Sequence, residues 1–190
     1  MPERVYLSLW IRGFQEGNML KHYGRMLERF PYSRLRPGID ALRIYAFEDS
    51  EPPALEHLFS GPPDTEAVLK LAREFEHADC AYLVDGWWEL WRFDGDWKLA
   101  PSRVTLCCFG PAFDNPAGDH LRVELPSDAD FTPHPELSGS VRPMESNLQG
   151  LLRLARELGE ALPLERRRIW TESGEDLATR LGSGPALAGR

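Results

Sequence analysis

At 190 residues, 42% hydrophobic, 27% charged and 11% aromatic, the chain has the size and composition of one globular domain. It carries enough apolar material for a core without metal or disulfide. Its formal charge is −8, from 30 acidic against 22 basic residues, and its tightest basic run is only Arg166-Arg167-Arg168. This balance argues against a nucleic-acid partner, and no stretch approaches the ~20 apolar residues of a membrane span.

In chain order, Val5, Leu7, Leu9 and Ile11 alternate with Tyr6, Ser8, Trp10 and Arg12, so residues 4–12 read as a strand with one apolar face. Met19, Leu20, Tyr23, Met26, Leu27 and Phe30 then recur at helical spacing up to Pro31. Leu42, Ile44 and Ala46 alternate with Arg43, Tyr45 and Phe47 in a second strand. A short helical turn is expected at 54–59 between two proline-rich stretches. Asp64 caps a second helix carrying Val68, Leu71, Ala72 and Phe75. A hairpin and a strand at 120–125 follow. Residues 126–144, with four prolines, read as a long loop. Leu148, Leu151, Leu152, Ala155 and Leu158 mark a third helix. A strand at Ile169-Trp170 and a short helix at 174–181 lead into a frayed tail, residues 182–190.

The predicted architecture is α+β in a single domain, residues 1–190. Four to six mostly antiparallel strands carry three helices on one face. Its strand–helix–strand opening loosely resembles ferredoxin-like and dimeric α+β-barrel topologies, an analogy of shape that implies no function.

The hairpin is the strongest local signal. In Trp91-Arg92-Phe93-Asp94-Gly95-Asp96-Trp97, a three-residue loop ending on Gly95 fits a type I turn with a G1 bulge. Counting from it sets Arg92 opposite Asp96, Trp91 opposite Trp97, Asp85 opposite Arg103 and Val84 opposite Val104. One face then holds Tyr82, Val84, Trp88, Leu90, Val104 and Leu106 and reads as core. The other holds Asp85, Trp87, Glu89, Trp91, Trp97 and Arg103. With Trp10, Tyr45 and His120, it forms an aromatic and charged face that is costly to leave bare. Three occupants compete for it: the chain's own 126–144 loop and C-terminal segment, a second copy in a homodimer, or a small-molecule ligand.

Catalytic motifs are lacking: the chain has no GxSxG, Walker A, GxGxxG, HExxH or zinc-ligand spacing. His22, His57 and His77 read as surface residues. Cys107 and Cys108 are adjacent and point to opposite faces, one buried and one half-exposed. Asp85 and Glu89, roughly 13 Å apart along one strand, are too far apart for a glycosidase pair. Asp85 with Arg103 reads as a cross-strand ion pair. Three cysteines without disulfide or metal spacing, and a start lacking an apolar signal segment, make a reducing cytoplasm the expected location. No cofactor or metal is expected. The reading that follows is a non-enzymatic binding module acting through Trp10, Tyr45, Asp85, Glu89, Trp91, Trp97, Arg103 and His120. The alternative is an enzyme of unassigned reaction on the same face.

Overall fold

Alternation along the strands decides the architecture. The computed structural model describes residues 1–182, so most of the expected tail (183–190) lies outside the described residues. In chain order the elements are β1 (Val5–Ile11), α1 (Glu16–Arg29), β2 (Ile39–Ala46), β3 (Leu55–Leu58), α2 (Thr65–Arg73), β4 (Cys80–Asp94) and β5 (Asp96–Phe109). After them come β6 (Leu121–Leu125), a 3-10 turn (Asp128–Asp130), α3 (Val141–Ala161), β7 (Leu164–Thr171) and α4 (Leu177–Gly182). The fold is α+β. Seven strands among the described residues form one antiparallel sheet in the order β3-β2-β4-β5-β6-β1-β7.

The apolar stripe of each strand faces the helices. Leu7 and Leu9 of β1, Leu42 and Ile44 of β2, Val84 and Leu90 of β4, Leu106 of β5 and Val123 of β6 are all essentially without solvent exposure. They share one cluster with Met19, Tyr23 and Met26 of α1, Val68 of α2, and Leu151 and Leu158 of α3. Side-chain capping sets where two helices start. The Gln15 N–H donates to Asn18 Oδ1 at 3.0 Å ahead of α1, and Asp64 accepts the Ala67 N–H at 3.0 Å ahead of α2.

Several expectations are corrected. Residues 54–59 are not a helical turn. Leu55 pairs with Ile44 and Leu58 with Ala41, because the outer edge of β2 needs a ladder partner. The hairpin is paired two residues further along than counted. Asp94 lies opposite Asp96, Arg92 opposite Lys98, Val84 opposite Leu106, Asp85 opposite Thr105 and Trp91 opposite Leu99. Pairing continues right up to Gly95, at φ 76°, and brings Phe93 rather than Trp91 against Trp97, with ring centroids 5.4 Å apart. A two-residue shift leaves every side chain on its expected face, so the face assignment survives the register error. Phe47 does not continue β2: the chain turns there through a left-handed conformation, φ 68°. α3 starts at Val141, within the stretch read as a loop, and His22 is buried in α1 rather than on the surface.

Candidate functional site

Cross-strand pairing arranges the second face of the sheet in rows. One row runs Asp85, Thr105, Glu124, Tyr6, Trp170 across β4, β5, β6, β1 and β7. The next runs Leu83, Cys107, Arg122, Ser8, Arg168. Adjacent strands lie about 4.8 Å apart, so Asp85 and Glu124 sit about 10 Å from each other on this surface.

Two charge clusters occupy the rows. In the first, Asp85 is 2% exposed and receives Arg43 Nη2 at 3.0 and 3.1 Å, Arg103 Nη2 at 2.7 Å and the Thr105 hydroxyl at 2.8 Å. The expected Asp85–Arg103 ion pair forms on the diagonal, since Thr105 takes the directly opposed position. In the second, Arg122 donates to both oxygens of Asp119, at 2.7 and 2.8 Å, and to Asn115 Oδ1 at 3.1 Å. Ser8 donates to Asp119 Oδ2 at 2.5 Å and accepts from Trp170 Nε1 at 2.9 Å. The guanidinium lies 4.8 Å from the ring centre of Phe109, 5.3 Å from that of Tyr6 and 5.9 Å from that of Trp170. Burial alone would lower the pKa of Arg122, but its bonds to Asp119 reverse that and raise it.

The segment 110–119 roofs this second cluster. Gly110 N–H donates to Cys80 O and Ala112 N–H to Ala78 O, which fastens the segment over β4 and β5. Phe113 packs with Phe109, Ala81 and Cys107 in a small second core. Cys107 is therefore fully buried, not half-exposed, and burial pushes its thiol well above the usual range. Between this segment and the turn at 47–49 lies a cleft of about 330 Å³, lined by Tyr6, Phe109, Phe113, Trp170 and Glu124 among others. Glu124 has only long ionic contacts, 3.5 Å to Arg122 and 4.0 Å to Arg4, and desolvation raises its pKa.

The residues singled out from sequence are not one constellation. Trp10 lies under the Arg166 guanidinium, 4.5 Å from its ring centre, and Tyr45 accepts from Arg43 at 3.4 Å. Glu89 caps the backbone of the 33–36 turn, accepting from the N–H groups of Arg34 and Leu35 and from the Ser33 hydroxyl. Partial burial opposes ionisation of Glu89, yet those donors hold its pKa below the usual carboxylate range. The backbone of Trp91 is bracketed by Asn147, and Trp97 donates to the Ser138 carbonyl at 3.0 Å. Segment 126–144 thus meets the tip of the hairpin; its Asp130 pairs with Arg92 and its Phe131 enters the helix-side core. His120 is spent on structure: its Nδ1 accepts the Ile11 N–H at 2.8 Å and its ring stacks on Phe14 at 4.2 Å. Only Asp85, Arg103 and Tyr45 come together. The site also takes in Ser8, Asp119, Arg122, Glu124 and Trp170, which the sequence does not single out, although period-two alternation in β1 and β6 sets Ser8, Arg122 and Glu124 on this face.

No group of three or more His, Cys, Asp or Glu among the described residues is arranged to hold a metal ion. No helix among them is long and apolar enough to cross a membrane. Compared with family models, curated proteins and solved structures, the chain matches none.

Proposed function

We propose that the chain is a binding module whose partner surface is the aromatic and charged second face of the sheet. The observation that carries this is how little of that face is covered. Segment 110–119 covers the part around Ala81, Cys107 and Phe109, where Tyr45 and Leu83 pack at its margin, and Arg36 stacks on Trp87 at 3.7 Å; Arg43, Tyr45, Leu83, Trp87 and Trp91 nevertheless stay only half-buried. Leu99 is 42% exposed, and the Arg103 side chain is 60% exposed. Aromatic and arginine side chains left together at the surface fit an interface better than bulk solvent. Catalytic chemistry has less support there. The Cys107 thiol is sealed in, the His120 Nδ1 is committed to the backbone, and Asp119 and Asp85 are each saturated by arginine.

The alternative, an enzyme on the same face, rests on Glu124 alone, a partly desolvated carboxyl at a cleft. Homodimerisation and a small-molecule ligand are the other occupants that the face admits, and a cytoplasmic setting accords with three unpaired thiols. The ferredoxin-like outline is kept only for the β1–α1–β2 opening and contributes nothing to this reading.

Site-directed photo-crosslinking in the native host tests the proposal. A benzoylphenylalanine at position 103 should give a defined covalent adduct, with a partner protein or with a second copy, while one at position 153 on the helix side should give none. Adducts only at position 153, or at neither, would count against the second face.

A further inference from the structure

The cleft beside Arg122 differs from the rest of the face in shape and in charge. It is a concave part of the sheet surface, and its aromatic walls already hold a guanidinium against three rings. Ring faces carry negative electrostatic potential and favour a cation laid against them. Around the opening the charge is one-sided: Glu48, Asp49, Asp114, Glu124 and Glu172 line it, against Arg122 alone. Asp119 already satisfies that arginine through two oxygens, so the cleft is left with an excess of negative charge.

We propose that this cleft docks a basic segment of a protein partner, one arginine or lysine side chain entering between the aromatic walls toward Glu124. This deepens the binding-module reading and rests on it. Charge complementarity names the sign of the occupant, and Phe47 argues for a macromolecule over a free cation. Phe47 directly precedes Glu48, is 68% exposed, and sits at φ 68° between two backbone bonds. Its N–H donates to Asp79 O, and its carbonyl accepts the Asp114 N–H. A large bare aromatic beside an acidic cleft provides the apolar anchor that interfaces use and that a small ammonium ion would not contact. At about 330 Å³ the cleft is at the small end of ligand pockets, in keeping with one long side chain.

The test is a titration of the full chain with a hexa-arginine peptide, followed by backbone and indole N–H shifts. Saturable shifts should concentrate at residues 47–49, 109–117 and the Trp170 indole. The Asp49→Asn/Asp114→Asn variant should weaken binding at least tenfold, and Phe47→Ser should weaken it with little change in melting temperature. Glu157→Gln/Glu160→Gln, on the outer side of α3, should leave it unchanged. Equal losses from both pairs of charge substitutions would mean bulk attraction to an acidic protein and would overturn the proposal, as would shifts centred elsewhere. N-acetyl-arginine amide binding as tightly as the peptide would assign the cleft to a free cation and overturn the partner segment. Failure here with the position-103 adduct intact moves the contact to another part of the face; loss of both removes the face itself.

Discussion

Asp119 has no exposed side-chain surface and binds Arg122 through both oxygens while accepting from Ser8. Removing one partner of such a pair leaves the other charge buried and unmatched, which typically costs 3–5 kcal/mol. Asp119→Ala should therefore lower stability by roughly that much in urea denaturation, and adding Arg122→Met should recover a large part of it. Arg4→Ala, at a long and exposed contact to Glu124, should change stability by under about 0.5 kcal/mol. A second expectation concerns pH. Desolvation lowers the folded-state pKa of His120 below 6.5, against the pull of Asp119 and Glu165, and burial likewise lowers that of His22. The unfolded chain then takes up these protons first, so stability is complete above pH 6.5 and falls as pH drops through the folded values. Glu124 works oppositely: with its pKa raised above 4.5, its contribution is complete below 4.5 and is lost as pH rises. His120→Asn offers the Ile11 N–H an acceptor that does not titrate. Urea midpoints at pH 7.5 and 5.5 should differ less in that variant than in wild type.

At the scale of elements, Gly110 decides whether the cleft exists. A Cβ there would lie 2.3 Å from Ala78 O and 2.7 Å from Cys80 O, both backbone atoms that cannot swing aside. Gly110→Ala should cost more than about 2 kcal/mol and loosen segment 110–119, seen as faster hydrogen exchange at Ala112 and Phe113 than elsewhere. Gly95→Ala meets no neighbour and pays only for its positive φ, about 1 kcal/mol. Val104→Asp would force a carboxylate into a position 1% exposed and should largely unfold the protein, whereas Asp96→Ala at the hairpin tip should cost under about 1 kcal/mol. Equal urea midpoints for these two would refute the assignment of faces. Period-two alternation was sufficient to identify those faces, because parity survives even a two-residue error in register. The register itself was not legible, since it depends on Phe93 meeting Trp97 across the turn. Nor was β3, a four-residue strand whose evidence is the unpaired edge of β2. Asp119 was hidden for a different reason: it lies outside any strand, and only the return of segment 110–119 over the sheet brings it to Arg122.

At the scale of the molecule, the placement of β1 between β6 and the edge strand β7 sets the order in which the protein can be completed. Its partners are β6, from Leu121, and β7, up to Thr171, so its hydrogen bonds are among the least local in the chain. On a ribosome adding 5–20 residues each second, the stripe Val5, Leu7, Leu9 and Ile11 waits about 8 to 32 s between its own synthesis and that of Thr171. Throughout that interval a strand destined for the interior has an unsatisfied edge and an apolar side open to other nascent chains. Release of a chain ending at residue 162 should make this permanent: such a fragment should sediment as aggregate, while the chain carried through β7 and α4 stays dispersed. For this topology, a slower synthesis rate lengthens that exposure, and yield should fall with it unless chaperones cover the waiting strand.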